Sequence, residues 1–134
     1  MRRRASPVLG AIEVIRRAET DDRDVTTSRT EVTVSPDEPV FPGHYPDFPI
    51  FPGVCEVEYV HLSALLTAPD GPVELVALDS ARFTGPVHPG DRIDIEMRWT
   101  TTDGVVVCSA SVRGPRGECA NVRLRYRPAP ESKN

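Results

Sequence analysis

Apolar positions along this 134-residue chain recur with two different periods, and the changes of period mark out the elements. From "PVLGAIEVIRRAETDD" to "RDVTTSRTEVTVS" the β-branched residues are dense and the helical period is weak, which predicts two strands. In the second, Val25, Thr27, Arg29, Glu31 and Thr33 alternate with Thr26, Ser28, Thr30, Val32 and Val34. "GVCEVEYVHLSALLT" then changes the spacing. Val54, Val57, His61, Ala64 and Leu65 recur every three or four residues, with Leu62 and Leu66 widening the stripe, so a helix over 53–67 is predicted. "APDGP" ends it. Four β-rich segments follow: "VELVALDSARFTG", "DRIDIEMRWTTT", "GVVVCSASVRG" and "ECANVRLRYRP". They are parted by "HPGD", "TDG" and "GPRG", and Ile93, Ile95, Met97 and Trp99 alternate cleanly.

Two strands, one helix and a run of antiparallel strands predict a single α+β domain over residues 1–134. About six strands would wrap one long central helix, and "PAPESKN", residues 128–134, reads as a flexible tail. One helix covers a six-stranded sheet poorly. A homodimer joined edge to edge is therefore expected, because pairing removes an open strand edge.

Composition narrows the class. With 39% hydrophobic and 27% charged residues the chain is an ordinary globular domain. The net charge of −4 argues against nucleic acid as a partner. Cys55, Cys108 and Cys119 have no CxxC spacing and suggest neither a disulfide framework nor a metal site; they read as small buried apolar residues. "MRRR" has the charge of a signal-peptide start, but "VLGAIEVIRR" is too short and too soon charged to continue one. No run approaches membrane-spanning length, so a cytoplasmic protein is expected.

The chemistry concentrates in "FPGHYPDFPIFPGVCEVE", residues 41–58. Six of the fourteen prolines lie within residues 36–52, which fixes φ repeatedly and stiffens the segment around His44. Glu58, on the second turn of the predicted helix, is flanked at helical spacings by Val54, His61, Leu62 and Leu65, an apolar setting expected to raise its pKa. A histidine and a tuned carboxylate are suited to taking one proton and giving another. Gly53 starts the helix, and its amide and that of Val54 are unpaired donors able to hold a carbonyl that gains negative charge. A plainer reading stays open on these residues alone. Loop histidines usually lie at the surface, and a glutamate early in a helix usually serves only its dipole.

This stretch closely resembles the signature of the (3R)-3-hydroxyacyl-acyl carrier protein dehydratases, the FabZ/FabA type with the hot-dog fold. The pattern FxGHFPxxPxxPGxxxxE appears as Phe41, Gly43, His44, Tyr45, Pro46, Pro49, Pro52, Gly53 and Glu58. "LDSARFTGPVHPGDRIDIEM" is similar to the family's strand, turn and strand, with Pro86, Pro89, Gly90 and Asp91 in the turn. The resemblance covers roughly residues 30–127. It implies that His44 and Glu58 are the catalytic pair, supplied to each site by opposite subunits of a dimer. Gly53 would hold the thioester carbonyl, His44 take the α-proton and Glu58 protonate the leaving β-hydroxyl, with no metal or redox cofactor. The implied partner is an acyl carrier protein bearing a 3-hydroxyacyl chain, in fatty-acid or polyketide-type biosynthesis.

Several positions depart from the pattern. Tyr45 replaces the usual phenylalanine, and Tyr59 and Leu62 stand where the family tends to have a small residue and a glutamine. His61 is read either as a partner of Glu58 or as a packing residue near the dimer seam. A "PHRYPFLLVDR"-like run is absent, and "SPVLGAIEVIRR" does not replace it, so the closure of the acyl tunnel should differ and a specialised role is implied. Arg123, Arg125 and Arg127 share one strand face, either a docking stripe for an acidic carrier or a solvated surface. His88 reads as a turn residue. Two other functions compete: a hot-dog thioesterase, which the "GHYP" histidine argues against, and a non-catalytic partner in a heteromeric dehydratase. Glu58 in place of an aspartate favours simple dehydration over dehydration with isomerisation.

Overall fold

The structure is a computed structural model and describes residues 11–35 and 53–130; of Val54 only the backbone is described. In chain order the elements are β1 (Ile12–Thr20), β2 (Thr26–Thr33), α1 (Gly53–Thr67), β3 (Val73–Phe83), β4 (Arg92–Thr102), β5 (Val105–Gly114) and β6 (Gly117–Pro128). All six strands join one sheet in the order β1-β2-β4-β5-β6-β3, every pairing antiparallel. The chain passes from β3 at one edge of the sheet to β4, third from the other. No local pattern in the sequence specifies that step.

Alternation does most of the folding. Ser28, Thr30, Val32 and Val34 face inward from β2 and the segment that follows it, as do Ile93, Ile95, Met97 and Trp99 from β4. β5 adds Val106, Cys108, Ala110 and Val112, and β6 adds Ala120, Val122, Leu124 and Tyr126. All three cysteines are buried as thiols. The helix touches all six strands, so the sheet wraps it as a hot dog. It has 15 residues, about 22 Å. With the bounds that its spacing predicted, it is a short helix and not the long central one expected.

The buried side of α1 also differs from the expected stripe. Cys55, Glu56, Tyr59, Val60, Ser63, Ala64 and Thr67 face the core, while Leu65 and Leu66 are exposed. The reason lies opposite, where polar residues of β2 meet polar residues of the helix. Trp99 Nε1 donates to Ser28 Oγ at 2.9 Å, and Thr67 Oγ1 donates to the Ser63 carbonyl at 2.8 Å. The Thr67 proton is thereby used, so Ser28 donates to Thr67 across 2.9 Å. Thr30 and Ser63 hydroxyls pair at 2.7 Å. These bonds fix the helix's rotation on the sheet.

Pro128, expected to open the tail, ends a strand. β6 runs through Pro128, and Ala129 N–H donates to the Pro72 carbonyl at 3.0 Å; residues 131–134 lie outside the described residues.

Candidate active site

Gly53 opens α1, so its amide and that of Val54 fall among the N–H groups that a helix leaves without an intrahelical partner. The Phe83 ring at the end of β3 covers Gly53. A Cβ at that position would lie 2.7 Å from the ring's far carbon, so glycine is what lets the ring approach. Glu58 stands on the second turn and is half-buried. Gly53, Val54 and Glu58 are thus carried by two consecutive turns of one rigid element. His44 and the proline-rich segment through Pro52 lie outside the described residues.

The carboxyl most altered by burial is a different one. Glu56 is 3% exposed and one of its oxygens, Oε1, is buried without a hydrogen-bond partner among the described residues. Burial pushes its pKa up to about 8. Glu58 lies two positions further on, which turns the two side chains about 200° apart around the helix. Glu56 therefore faces the core, where burial and then its charge push the Cys119 thiol up. Glu56 was not among the residues that the sequence singled out. Its position in the acidic string "CEVE" gave a signal, but no apolar period picks it out.

His61 is half-buried one turn beyond Glu58, and neither of its expected roles included the contact it makes. Its Nδ1 lies 2.9 Å from the Tyr126 hydroxyl and the two rings stack at 9°, centroids 5.8 Å apart. Burial pulls the imidazole pKa down, and the Glu58 charge pulls it partly back. Alternation in "NVRLRYR" places Tyr126 inward, but only the sheet order reveals that it lies beneath the helix.

The arginine stripe is largely spoken for. Arg125 pairs with Asp79 at 2.8 Å and Arg127 with Glu74, both across the β3–β6 pairing, while Arg123 makes no ion pair among the described residues. His88 is a turn residue as expected: its N–H donates to Asp91 Oδ2 at 2.8 Å, and Asp91 also pairs with Arg116. Among the described residues, no three His, Cys, Asp or Glu side chains are grouped to hold a metal, and no helix is long and apolar enough to cross a membrane.

Comparison with known proteins adds to this geometry. A family model described as ApeI-like, ApeI dehydratase, matches residues 18–120. The 3-hydroxyacyl-[acyl-carrier-protein] dehydratase FabZ of Solibacter usitatus is 42% identical over 95 residues, 56% of this chain and 59% of that protein. The chain thus spans less than two thirds of that relative's length, and of the Thermotoga petrophila relative, also named FabZ, it spans 58%. The FabZ of Tolumonas auensis is 32% identical over 127 residues, 79% of this chain and 83% of that one. Among solved structures, the dehydratase heterocomplex ApeI:P from Xenorhabdus doucetiae is similar at a TM-score of 0.61 and 17% identity, covering 92% of this chain and 99% of its own. That likeness shows the fold.

Proposed function

The chain belongs to the ApeI-like dehydratase family, and from that premise we propose that it removes water from (3R)-3-hydroxyacyl thioesters carried on an acyl carrier protein. The observation that carries the reading is the match over residues 18–120, which spans the His44-to-Glu58 stretch and the turn at Pro86–Asp91. The Gly53 and Val54 amides receive the thioester carbonyl, whose oxygen gains charge as the α-carbon loses its proton. His44 takes that proton. The C–H electron pair becomes the new π bond, and the C–O pair leaves with the β-hydroxyl, which Glu58 protonates to water. The product is the trans-2-enoyl thioester, and solvent restores the protonation of both groups. Oxidation and reduction balance within the substrate, so the step calls for no redox cofactor or metal.

The partner is a second copy of the chain. β3 is an edge strand, bonded among the described residues to β6, and it exposes Leu75, Val76 and Leu78, each at least 45%. Joining two β3 edges covers these residues and closes an edge open to aggregation. Leu78→Asp should leave the chain monomeric in light scattering; a dimer unchanged by it would move the interface elsewhere. Pairing with a related chain, as in the ApeI:P heterocomplex, is the second reading, and in it this subunit shapes a partner's site. A cytoplasmic location goes with a carrier-protein substrate.

Intact-mass analysis of carrier protein loaded with a 3-hydroxyacyl chain tests the reaction. Loss of one water, abolished by His44→Ala and by Glu58→Gln, is expected. Loss of the whole acyl group would make the protein a thioesterase. An unchanged mass across several chain lengths would favour the non-catalytic partner.

A further inference from the structure

Tyr126 is fully buried, and its phenol is kept protonated by burial, with the charges of Cys108 and Glu58 acting the same way. A buried hydroxyl must give its hydrogen to an acceptor. The hydrogen bond it makes is to His61 Nδ1, so Tyr126 O–H donates and the imidazole carries its own proton on Nε2. A cationic ring would need hydrogens on both nitrogens and would lose this acceptor. The near-parallel stack on Tyr126 holds the ring in the same pose. Among the described residues, the titratable groups bearing on the pair are Glu58 from α1, Tyr126 from β6 and, behind the phenol, Cys108 from β5.

Residues three apart on a helix share a face, with Cβ atoms about 5–6 Å apart. Glu58 and His61 stand in that relation. A positive charge at such a distance would lower a carboxyl's proton affinity by tenfold or more. An acid that must deliver a proton to a leaving hydroxyl is better served by an uncharged neighbour. We propose that His61, clamped on Tyr126, acts on the reaction through Glu58: it holds a neutral imidazole one turn away and keeps positive charge from the carboxyl. The inference rests on Glu58 being the acid of the dehydration. The position where the family tends to have a glutamine is filled here by Leu62, so His61 supplies the polar neighbour that Leu62 cannot.

The test is the pH dependence of kcat and KM on a 3-hydroxyacyl thioester of carrier protein, for the chain and for His61→Lys, His61→Gln, Tyr126→Phe and Glu58→Gln. Thermal melts establish that each folds. His61→Lys places a lasting cation beside Glu58 and should move the alkaline limb of kcat down by about one pH unit, a tenfold loss on that limb, with KM unchanged. His61→Gln should stay within about threefold of the parent with an unmoved limb. Tyr126→Phe frees Nδ1 to take a proton and should move the limb in the same direction as lysine, by less; it carries the test should the lysine variant not fold. An unmoved limb in both, with Glu58→Gln inactive, would overturn the proposal and leave His61 a packing residue. A fully active Glu58→Gln would instead sink the role of Glu58, and this inference with it.

Discussion

Toward its C-terminal end α1 presents Ser63 and Thr67 to the sheet, and both find partners: Thr30 for the first, Ser28 and the Ser63 carbonyl for the second, with Trp99 behind them. Toward its N-terminal end the same helix presents Glu56 to the core, and there Oε1 has none among the described residues. The contrast separates two uses of buried polarity. A satisfied seam costs little and sets the helix's rotation, because slippage would strand several groups at once. An unsatisfied carboxyl costs free energy continuously. It lies in the same two turns as Gly53 and Glu58, where the proposed chemistry is placed. Sequences tend to break local rules at functional sites.

The largest effect should come from Glu56 itself. Its folded pKa of about 8 lies above the ordinary 4.5, so between those values the folded protein holds a proton that the unfolded chain releases. Stability is then full below about pH 4.5, falls as pH rises through the window and levels off above about 8. At pH 7 the loss is about 3–4 kcal/mol, since pH 7 lies some 2.5 pH units above 4.5 at about 1.4 kcal/mol each. Glu56→Met, of similar volume and uncharged, should remove that slope and raise the urea midpoint more at pH 8 than at pH 5. Equal gains at both pH values would mean that Glu56 is not held protonated. Dehydratase activity of the same variant would show whether the end that pays this cost also needs it.

At the satisfied end, Ser28→Ala should cost about 2 kcal/mol. The Trp99 indole N–H loses its acceptor in a site 3% exposed, and Thr67 loses the hydroxyl that donates to it. An indole N–H cannot turn to another partner without moving the ring. Chemical unfolding at one pH is enough to measure this. A loss below about half a kcal/mol would mean that the seam follows the fold and does not set it.

The contrast between the ends also marks where the sequence was readable. The helix fell at residues 53–67 as its spacing predicted, and the inward residues of β2 and β4 followed from alternation. Which side of the helix is buried did not follow. Ranking by apolarity chose Ala64, which is buried, but also Leu65 and Leu66, which are exposed, whereas rotation was decided by hydroxyls meeting hydroxyls, and polar pairs between distant segments leave no period behind. The same blindness hid the Tyr126 contact of His61, which depends on β6 lying against the helix, and the Asp79 and Glu74 partners of Arg125 and Arg127, which depend on β3 lying beside β6. The Glu58 and Gly53 assignments were reached through the motif, which records chemistry directly and needs no knowledge of the sheet order.

The smallest effect is expected at Thr30, and it sharpens the account of the seam. Thr30→Val keeps the shape of the side chain and removes the hydroxyl that pairs with Ser63 at 2.7 Å. Ser63 is helical, so its freed hydroxyl can turn to the carbonyl one turn back, as serine and threonine do within helices. Thr67 already does this, donating to Ser63. The variant should therefore cost under about 1 kcal/mol, less than Ser28→Ala, although both remove one hydroxyl from the same fully buried row. The ranking turns on whether the partner left behind can find a new acceptor. If Thr30→Val proved the costlier of the two, the Thr30–Ser63 bond would be the one that locks the helix, and the Trp99 chain only its neighbour.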